Sequence, residues 1–289
     1  MIKILKSLII KINHIIFLHK YFVRWIKIIL LPNKYSSNGN YYKTAMKIIL
    51  KASKLENSRQ SYVVGSVLAA LQAKNCGLKK ITLIEFGVAK GEGLKLLIQI
   101  ASFIRRDMDL EVSVLGFDNR TGLPDPLDYR DHPEIWSKKQ FSMGENFKKL
   151  DDHIRSSNAK LMIGDVADTL SEFKLNDNVL AFASIDVDYY SSTKPIMNWI
   201  KNLKPLNTLP ASVLYFDDVC NLWTYSNFTG EALAIKEFNL ECDEMKIELK
   251  HKKLKLFALH NFSHPIRTGN KRTIINLELF IDKMNKFYP

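Results

Sequence analysis

The sequence predicts a doubly wound α/β domain, a mostly parallel sheet with helices on both faces. Three observations carry this. Five short, near-continuously apolar runs recur between residues 81 and 217; such runs belong to strands covered on both faces. Helical segments separate them, as parallel pairing requires a crossover after each strand. Beyond residue 241 come "EMKIEL" and "KLKLFALHNF", with "KHKK" between them, which predicts an antiparallel hairpin at one end of the sheet. With 289 residues, 46% apolar and 25% charged, the chain is long enough for a sizeable core and is not disordered as a whole.

The first element is a basic amphipathic segment, residues 1–40. Residues 1–55 hold eleven Lys and Arg and no Asp or Glu; the other 234 residues carry 31 basic and 30 acidic side chains. The net charge of +12 therefore belongs to this end, and a basic groove for nucleic acid across the folded body is disfavoured. Lys11, His14, Lys20, Arg24 and Lys27 interrupt the apolar residues. No window reaches the ~18 uninterrupted apolar residues of a membrane span, and no small-residue cleavage site marks a secretory signal. Lys3, Lys6, Ser7, Lys11, Asn13 and His14 share one helical face. That face suits an anionic membrane surface. A helix packed on its own domain or on a second subunit is the competing account, so peripheral contact through residues 1–30 and homo-oligomerisation both stand as expectations. Pro32 and "NKYSSNGN" end the segment as a loop.

Residues 41–78 form a helical lead-in, clearest in "SYVVGSVLAALQAKNCG", with Gly77 as its C-cap. A catalytic domain is expected over residues 79–262. "ITLIEF" is its first strand, followed by a Gly-rich turn and an amphipathic helix over 93–106. "VSVLGF" is the second strand; a Pro-rich loop over 119–136 leads to a helix near 138–156. "KLMI", "VLAFASID" and "ASVLYFD" are the third, fourth and fifth strands, and a helix near 230–241 precedes the hairpin. Residues 263–289 are a C-terminal extension. Cys76, Cys220 and Cys242 are odd in number and contain no CxxC pair, so neither a disulfide framework nor a zinc site is expected. Reduced thiols fit a cytoplasmic protein, peripheral at the inner membrane surface if the N-terminal face docks there.

In such sheets ligands bind at the carboxyl ends of the strands, and the unusual polar residues gather there. After the first strand comes "EFGVAKGEG", with Glu85, Gly87, Gly91 and Gly93. Gly87 and Gly91 let the backbone turn tightly and approach a ligand. The Gly-Lys-[Ser/Thr] ending of a P-loop is missing, and the glycine spacing is not G-x-G-x-x-G, which weakens a nicotinamide or flavin reading. After the second strand, in "GFDNRTGLPDP", Asp118 stands where a ribose offers two hydroxyls to one carboxylate. After the third, in "IGDVADTL", Asp165 can accept from an exocyclic amine or cap its own helix, and both can hold at once. The fourth ends in "IDVDYYSST", with Asp186 and Asp188, and the fifth in "YFDD", with Asp217 and Asp218.

These motifs in this order, together with "GEALAIKEF", resemble a class I S-adenosylmethionine-dependent methyltransferase, and within that class the macrocin O-methyltransferase-like group, over roughly residues 80–240. The resemblance implies a seven-stranded Rossmann-like sheet with the hairpin as its antiparallel end. It implies that Glu85, Gly87 and Gly91 line the S-adenosylmethionine, that Asp118 holds its ribose, and that Asp165 lies near its adenine. It further implies that Asp186, Asp188, Asp217 and Asp218 bind Mg²⁺ beside an acceptor hydroxyl of a small molecule, a sugar or glycoconjugate. The group often places Ser or Thr where Gly93 stands, and "DYRDHPEIWSKKQFSMGENF" covers a region that varies with acceptor.

Physical chemistry agrees with that implication for the acids. Carboxylates converging from adjacent strands repel one another, and a hard divalent cation removes the repulsion. An acceptor hydroxyl on the metal loses its proton more easily, and Asp186 or Asp188 can act as general base. A bland account stands beside it: Asp188 or Ser192 caps the helix "TKPIMNWI", and Asp217 and Asp218 end a strand in water. Tyr189, Tyr190, Trp223 and Tyr225 flank the acids as an acceptor wall or as core; His132 and His264 receive no role. A base-amine methyltransferase would show an Asn/Asp-Pro-Pro-Tyr-like loop where this chain has "DVDY". A binding protein that kept the fold and lost the chemistry, and a nucleotide-dependent oxidoreductase, are the competing functions.

Overall fold

The computed structural model describes residues 39–219 and 223–269. The basic stretch 1–38, Cys220 and most of the C-terminal extension lie outside the described residues, and with them the membrane-surface reading.

The lead-in divides into two helices, α1 (Gly39–Ala52) and α2 (Gln60–Asn75). Expected as one helical stretch, it breaks in the polar run between them, where Asn57 takes a positive φ and Ser58 Oγ caps back onto the Ala52 carbonyl. The sheet-forming unit follows as β1 (Lys80–Phe86), α3 (Glu92–Met108), β2 (Glu111–Asp118), α4 (Asn146–Arg155) and β3 (Ala159–Ile163). Then come α5 (Val166–Glu172), β4 (Leu180–Ile185), α6 (Tyr190–Lys201), β5 (Thr208–Phe216), α7 (Gly230–Glu241), β6 (Met245–His251), β7 (Leu256–Asn261) and the short α8 (Pro265–Gly269). α4 starts later than its sequence pattern suggests. Lys139, Phe141 and Gly144 all take positive φ, which no helix allows, so the segment from Asn119 to Glu145 is a loop with one 3₁₀ turn at Tyr129–Asp131.

The seven strands form one sheet in the order β3-β2-β1-β4-β5-β7-β6. The first five are parallel; β7 runs antiparallel to β5 and β6 closes the edge, so the expected seven-stranded sheet and terminal hairpin are present. Strand residues alternate between faces. Ile81 and Leu83 of β1 join the core under α1, α2 and α3, whereas Ile84 and Phe86 join the core under α5, α6 and α7. α2 is buried along almost its whole length, from Tyr62 to Ala73, and packs across β4 and β5. Gly65 makes that approach possible: a Cβ there would stand 2.5 Å from the Phe182 ring. No described helix is long and apolar enough to cross a membrane.

Candidate functional site

The chemistry-bearing residues sit where the strand carboxyl ends meet. At the end of β1 the chain turns through Gly87, whose φ is +84°. A Cβ at this position would fall onto the Asp186 carbonyl oxygen, so only glycine permits β1 and β4 to leave the sheet this close together. Asp118 at the end of β2 holds the other side of the turn: its Oδ2 accepts from Val88 N and Ala89 N at 2.8 Å each, and its Oδ1 from Arg120 N at 2.6 Å. A carboxylate has about four lone-pair sites, so Asp118 shapes the turn and keeps acceptor capacity for a ligand hydroxyl. Gly91 precedes α3 and lies against Leu150 of α4. Gly93 lies over Glu85, whose Oε1 occupies the space a Cβ would need; the Ser or Thr of the resembling group has no room here. Asp165 is exposed at the end of β3 and caps α5, accepting from Ala167 N at 2.8 Å.

A polar row crosses the buried middle of the sheet. Glu85 of β1 pairs in register with Ser184 of β4, and Ser184 with Tyr215 of β5. Because alternate residues share a face, all three point toward α2, and Tyr62 meets them there. Its hydroxyl donates to Glu85 Oε1 at 2.8 Å and accepts from Ser184 Oγ at 2.6 Å, and its ring lies 5.6 Å from that of Tyr215. Glu85 is 1% exposed and its Oε2 has no partner. Burial pushes its carboxyl up to about 8, against the opposing pull of the Tyr62 hydrogen bond and Arg59. Arg59, just before α2, reaches back toward this row and lies 3.6 Å from Asp186.

The acids end β4 and β5. Asp186, Asp217 and Asp218 each present a carboxylate oxygen, all within 4.8 Å of one another. Asp188 lies outside this trio. It takes φ +61°, an αL conformation rare away from glycine, and its carboxyl faces that of Asp218. It caps nothing: α6 begins at Tyr190 with no side-chain cap, so neither Asp188 nor Ser192 plays the capping role. Asp217 is the neutralised member. Lys255, on the turn between β6 and β7, reaches its Oδ1 at 2.6 Å and also its carbonyl, and the Tyr215 hydroxyl donates to the same Oδ1 at 2.5 Å. Burial alone would raise its pKa, but these bonds outweigh it and hold the carboxyl below the usual range. Asp218 is held through its backbone: its N–H donates to Glu231 Oε2 at 2.9 Å, while Tyr225 donates to its Oδ1 at 2.7 Å.

Negative charge outweighs positive here. Burial, then Asp217 and Asp218, push Asp186 up to about 7. Burial, then Asp218 and Asp186, push Asp188 to about 9. Glu231 is fully buried and is raised as well, by burial and then by Asp218. Asp218 Oδ2 and Glu231 Oε1 are buried with no hydrogen-bond partner. Unsatisfied buried carboxyl oxygens are costly. Three hard oxygen donors within reach of one point, one of them with a spare buried oxygen, form a donor set that fits Mg²⁺.

Of the flanking aromatics, only Tyr225 hydrogen-bonds one of the four aspartates at the ends of β4 and β5. Tyr189 is buried with its hydroxyl on the Pro124 carbonyl, Tyr190 bonds Glu237, and Trp223 is fully exposed. His132 is buried against the Tyr225 ring at 5.1 Å, with Nδ1 2.9 Å from Glu134. A cavity of about 650 Å³ between α5 and α6 is lined by Phe173, Trp199 and Leu203 among others, and by none of the acids at the ends of β4 and β5. Four residues of the site escape a sequence reading: Arg59, Tyr62, Glu231 and Lys255. Tyr62 left a trace, as the one hydroxyl-bearing ring in an apolar helical run, and Glu231 lies in the "GEALAIKEF" motif with no role read for it.

No protein-family model matches the chain, and no curated protein matches it. Among the solved structures similar to it, two share its fold at a TM-score above 0.5. One, calicheamicin methyltransferase CalS11, is 18% identical, covers 78% of this chain and 94% of its own, and superposes with a TM-score of 0.51. The other, the O-methyltransferase NovP, is 17% identical, covers 75% of this chain and 99% of its own, and has a TM-score of 0.51.

Proposed function

This chain has the fold of the class I S-adenosylmethionine-dependent methyltransferases, and we propose that it moves a methyl group from that cofactor to a hydroxyl of a small acceptor, a sugar or glycoconjugate. One observation carries the proposal: three carboxylates from adjacent strand ends converge within 4.8 Å beside the Gly-rich turn. The names of the two similar structures, a calicheamicin methyltransferase and an O-methyltransferase, support the same reaction class.

In this reading Gly87, Gly91 and Glu85 line the cofactor, Asp118 offers its remaining acceptor capacity to the ribose, and Asp165 lies toward the adenine. Asp186, Asp217 and Asp218 hold a divalent cation. The bound cofactor supplies an electrophilic methyl group, and a bound cation makes an acceptor hydroxyl easier to deprotonate. The chain's own residues do the rest. Lys255 and Tyr215 occupy Oδ1 of Asp217 and leave Oδ2 to face the cluster. Tyr225 and Glu231 fix the direction of Asp218. Asp186 is the better general base of the two candidates, because its side chain is 25% exposed and an acceptor can reach it. Asp188 is 6% exposed, and its carboxyl faces that of Asp218.

The test is a thermal-shift titration with S-adenosylmethionine, S-adenosylhomocysteine and NAD(H), each with and without Mg²⁺, followed by activity of Asp217→Asn. Adenosyl compounds at ~100 times their dissociation constant stabilise by ~2.7 kcal/mol, and NAD(H) does not. Asp217→Asn keeps the S-adenosylhomocysteine shift, loses the added Mg²⁺ shift, and drops turnover by about 100-fold or more. Unchanged turnover in that variant removes the metal from the reaction; no shift with either adenosyl compound removes the methyltransferase reading itself.

A further inference from the structure

Arg59 is an under-used cation in a crowded acidic site. Its Nη1 lies 3.4 Å from the Tyr62 hydroxyl and 3.6 Å from Asp186 Oδ2, both long for hydrogen bonds. Its guanidinium lies 5.3 Å from the centre of the Tyr62 ring. Among the described residues its Nε and Nη2 have no hydrogen-bond partner, and 44% of the side chain is exposed. A guanidinium carries five donors in a planar fork that matches a carboxylate. The ring that supports it is anchored at Glu85 and Ser184, so the fork sits over the seam where β1 and β4 leave the sheet.

The sheet order says what passes this seam. From one side to the other the strands run β3, β2, β1, β4, β5. Under the proposed function, the adenosine half of the cofactor lies toward Asp165 and Asp118, over β3 and β2, and the sulfonium faces the acids of β4 and β5. The remaining arm, an α-amino acid, is left with the seam between β1 and β4. Glu85, in the same network as Arg59, has a buried oxygen without a partner at this seam. Lys255, the other cation beside the acids, already bonds Asp217. We propose that Arg59 binds the carboxylate of the cofactor's amino-acid arm, with Tyr62 as the residue that positions it. This rests on the methyltransferase reading.

The experiment measures binding of S-adenosylhomocysteine and of 5′-methylthioadenosine, which lacks the amino-acid arm, to the full chain and to Arg59→Gln and Arg59→Lys. Hydrogen bonds to a charged group carry enough energy that losing them weakens S-adenosylhomocysteine by roughly 10- to 100-fold in Arg59→Gln. Methylthioadenosine affinity stays as in the natural chain, and Arg59→Lys recovers part of the loss. Equal weakening of both ligands in Arg59→Gln makes Arg59 a structural residue and overturns the assignment. Unchanged S-adenosylhomocysteine affinity overturns it too and leaves methyl transfer standing. Failure of the natural chain to bind either ligand overturns the methyltransferase reading, and the assignment with it.

Discussion

At Gly87 a single hydrogen atom decides whether two strands can part where they do. Gly87→Ala adds a methyl that lands on the Asp186 carbonyl, in a backbone conformation that alanine resists. We expect a loss of about 3 kcal/mol or more, read by urea unfolding; a loss below about 1 kcal/mol would mean that the turn is slack. The strand-end positions of Asp118, Asp165, Asp186 and Asp217 were legible because each stops an apolar run, and a parallel strand ends where its apolar run ends. Lys255 and Arg59 were not. Their partners lie far along the chain, Asp217 for one and Asp186 for the other, and no local pattern reports a contact made by folding. Glu231 was hidden for a different reason: an acid in the first turn of a helix reads as a surface residue favoured by the helix dipole, and only the packing shows it buried beneath Asp218.

Among the elements, α2 shows how closely the lead-in is bound to the sheet. Replacing a helical glycine by alanine ordinarily gains up to ~1 kcal/mol. At Gly65 the gain is overridden, because the new Cβ would stand 2.5 Å from the Phe182 ring, 2.9 Å from a second atom of that ring and 3.2 Å from Leu256. Gly65→Ala is expected to lower stability by about 1–2 kcal/mol, since overpacking costs ~1–3 kcal/mol. A raised melting temperature would show that Phe182 moves aside freely. Apolar runs and helical periods made the α/β order readable, and the hairpin with it. The interruption between α1 and α2 was less so, since Ala52 and Leu55 continue the apolar content across it while Ser53, Asn57 and Ser58 turn the backbone away. The late start of α4 follows from its loop. Leu123 and residues 139–140 pair backbone to backbone, a contact across the loop that holds Lys139 and Phe141 outside helical geometry.

Across the whole molecule the acid surplus sets a pH dependence. Glu85, Asp186 and Asp188 rise to about 8, about 7 and about 9 in the folded state, against roughly 4 when unfolded. Each therefore binds its proton more tightly folded than unfolded. Their contribution to stability is complete below about pH 4 and is lost as the pH climbs through 7 to 9. His260 and His264 work the other way, since burial lowers their pKa values and they add stability as the pH approaches 6.5. The fall is thus clearest above that point: in EDTA the melting temperature drops between pH 6.5 and 9, and Mg²⁺ at pH 8 restores much of it. A flat or rising profile in EDTA would show that the acids carry no strain.

Lys255 and β7 belong to the same hairpin, and this ties the site to the order in which the chain is made. β5 is buried along its whole length, yet the strand that covers its outer edge is synthesised only after α7 and β6. A nascent polypeptide that has just completed β5 displays an apolar edge of unpaired backbone groups, the kind that recruits other chains. Its acid cluster also lacks the ammonium that balances Asp217. Arrival of the hairpin seals the edge and supplies that charge in one docking event. A ribosome that stalls between these points leaves a product with an uncovered apolar edge and an acid cluster without its ammonium.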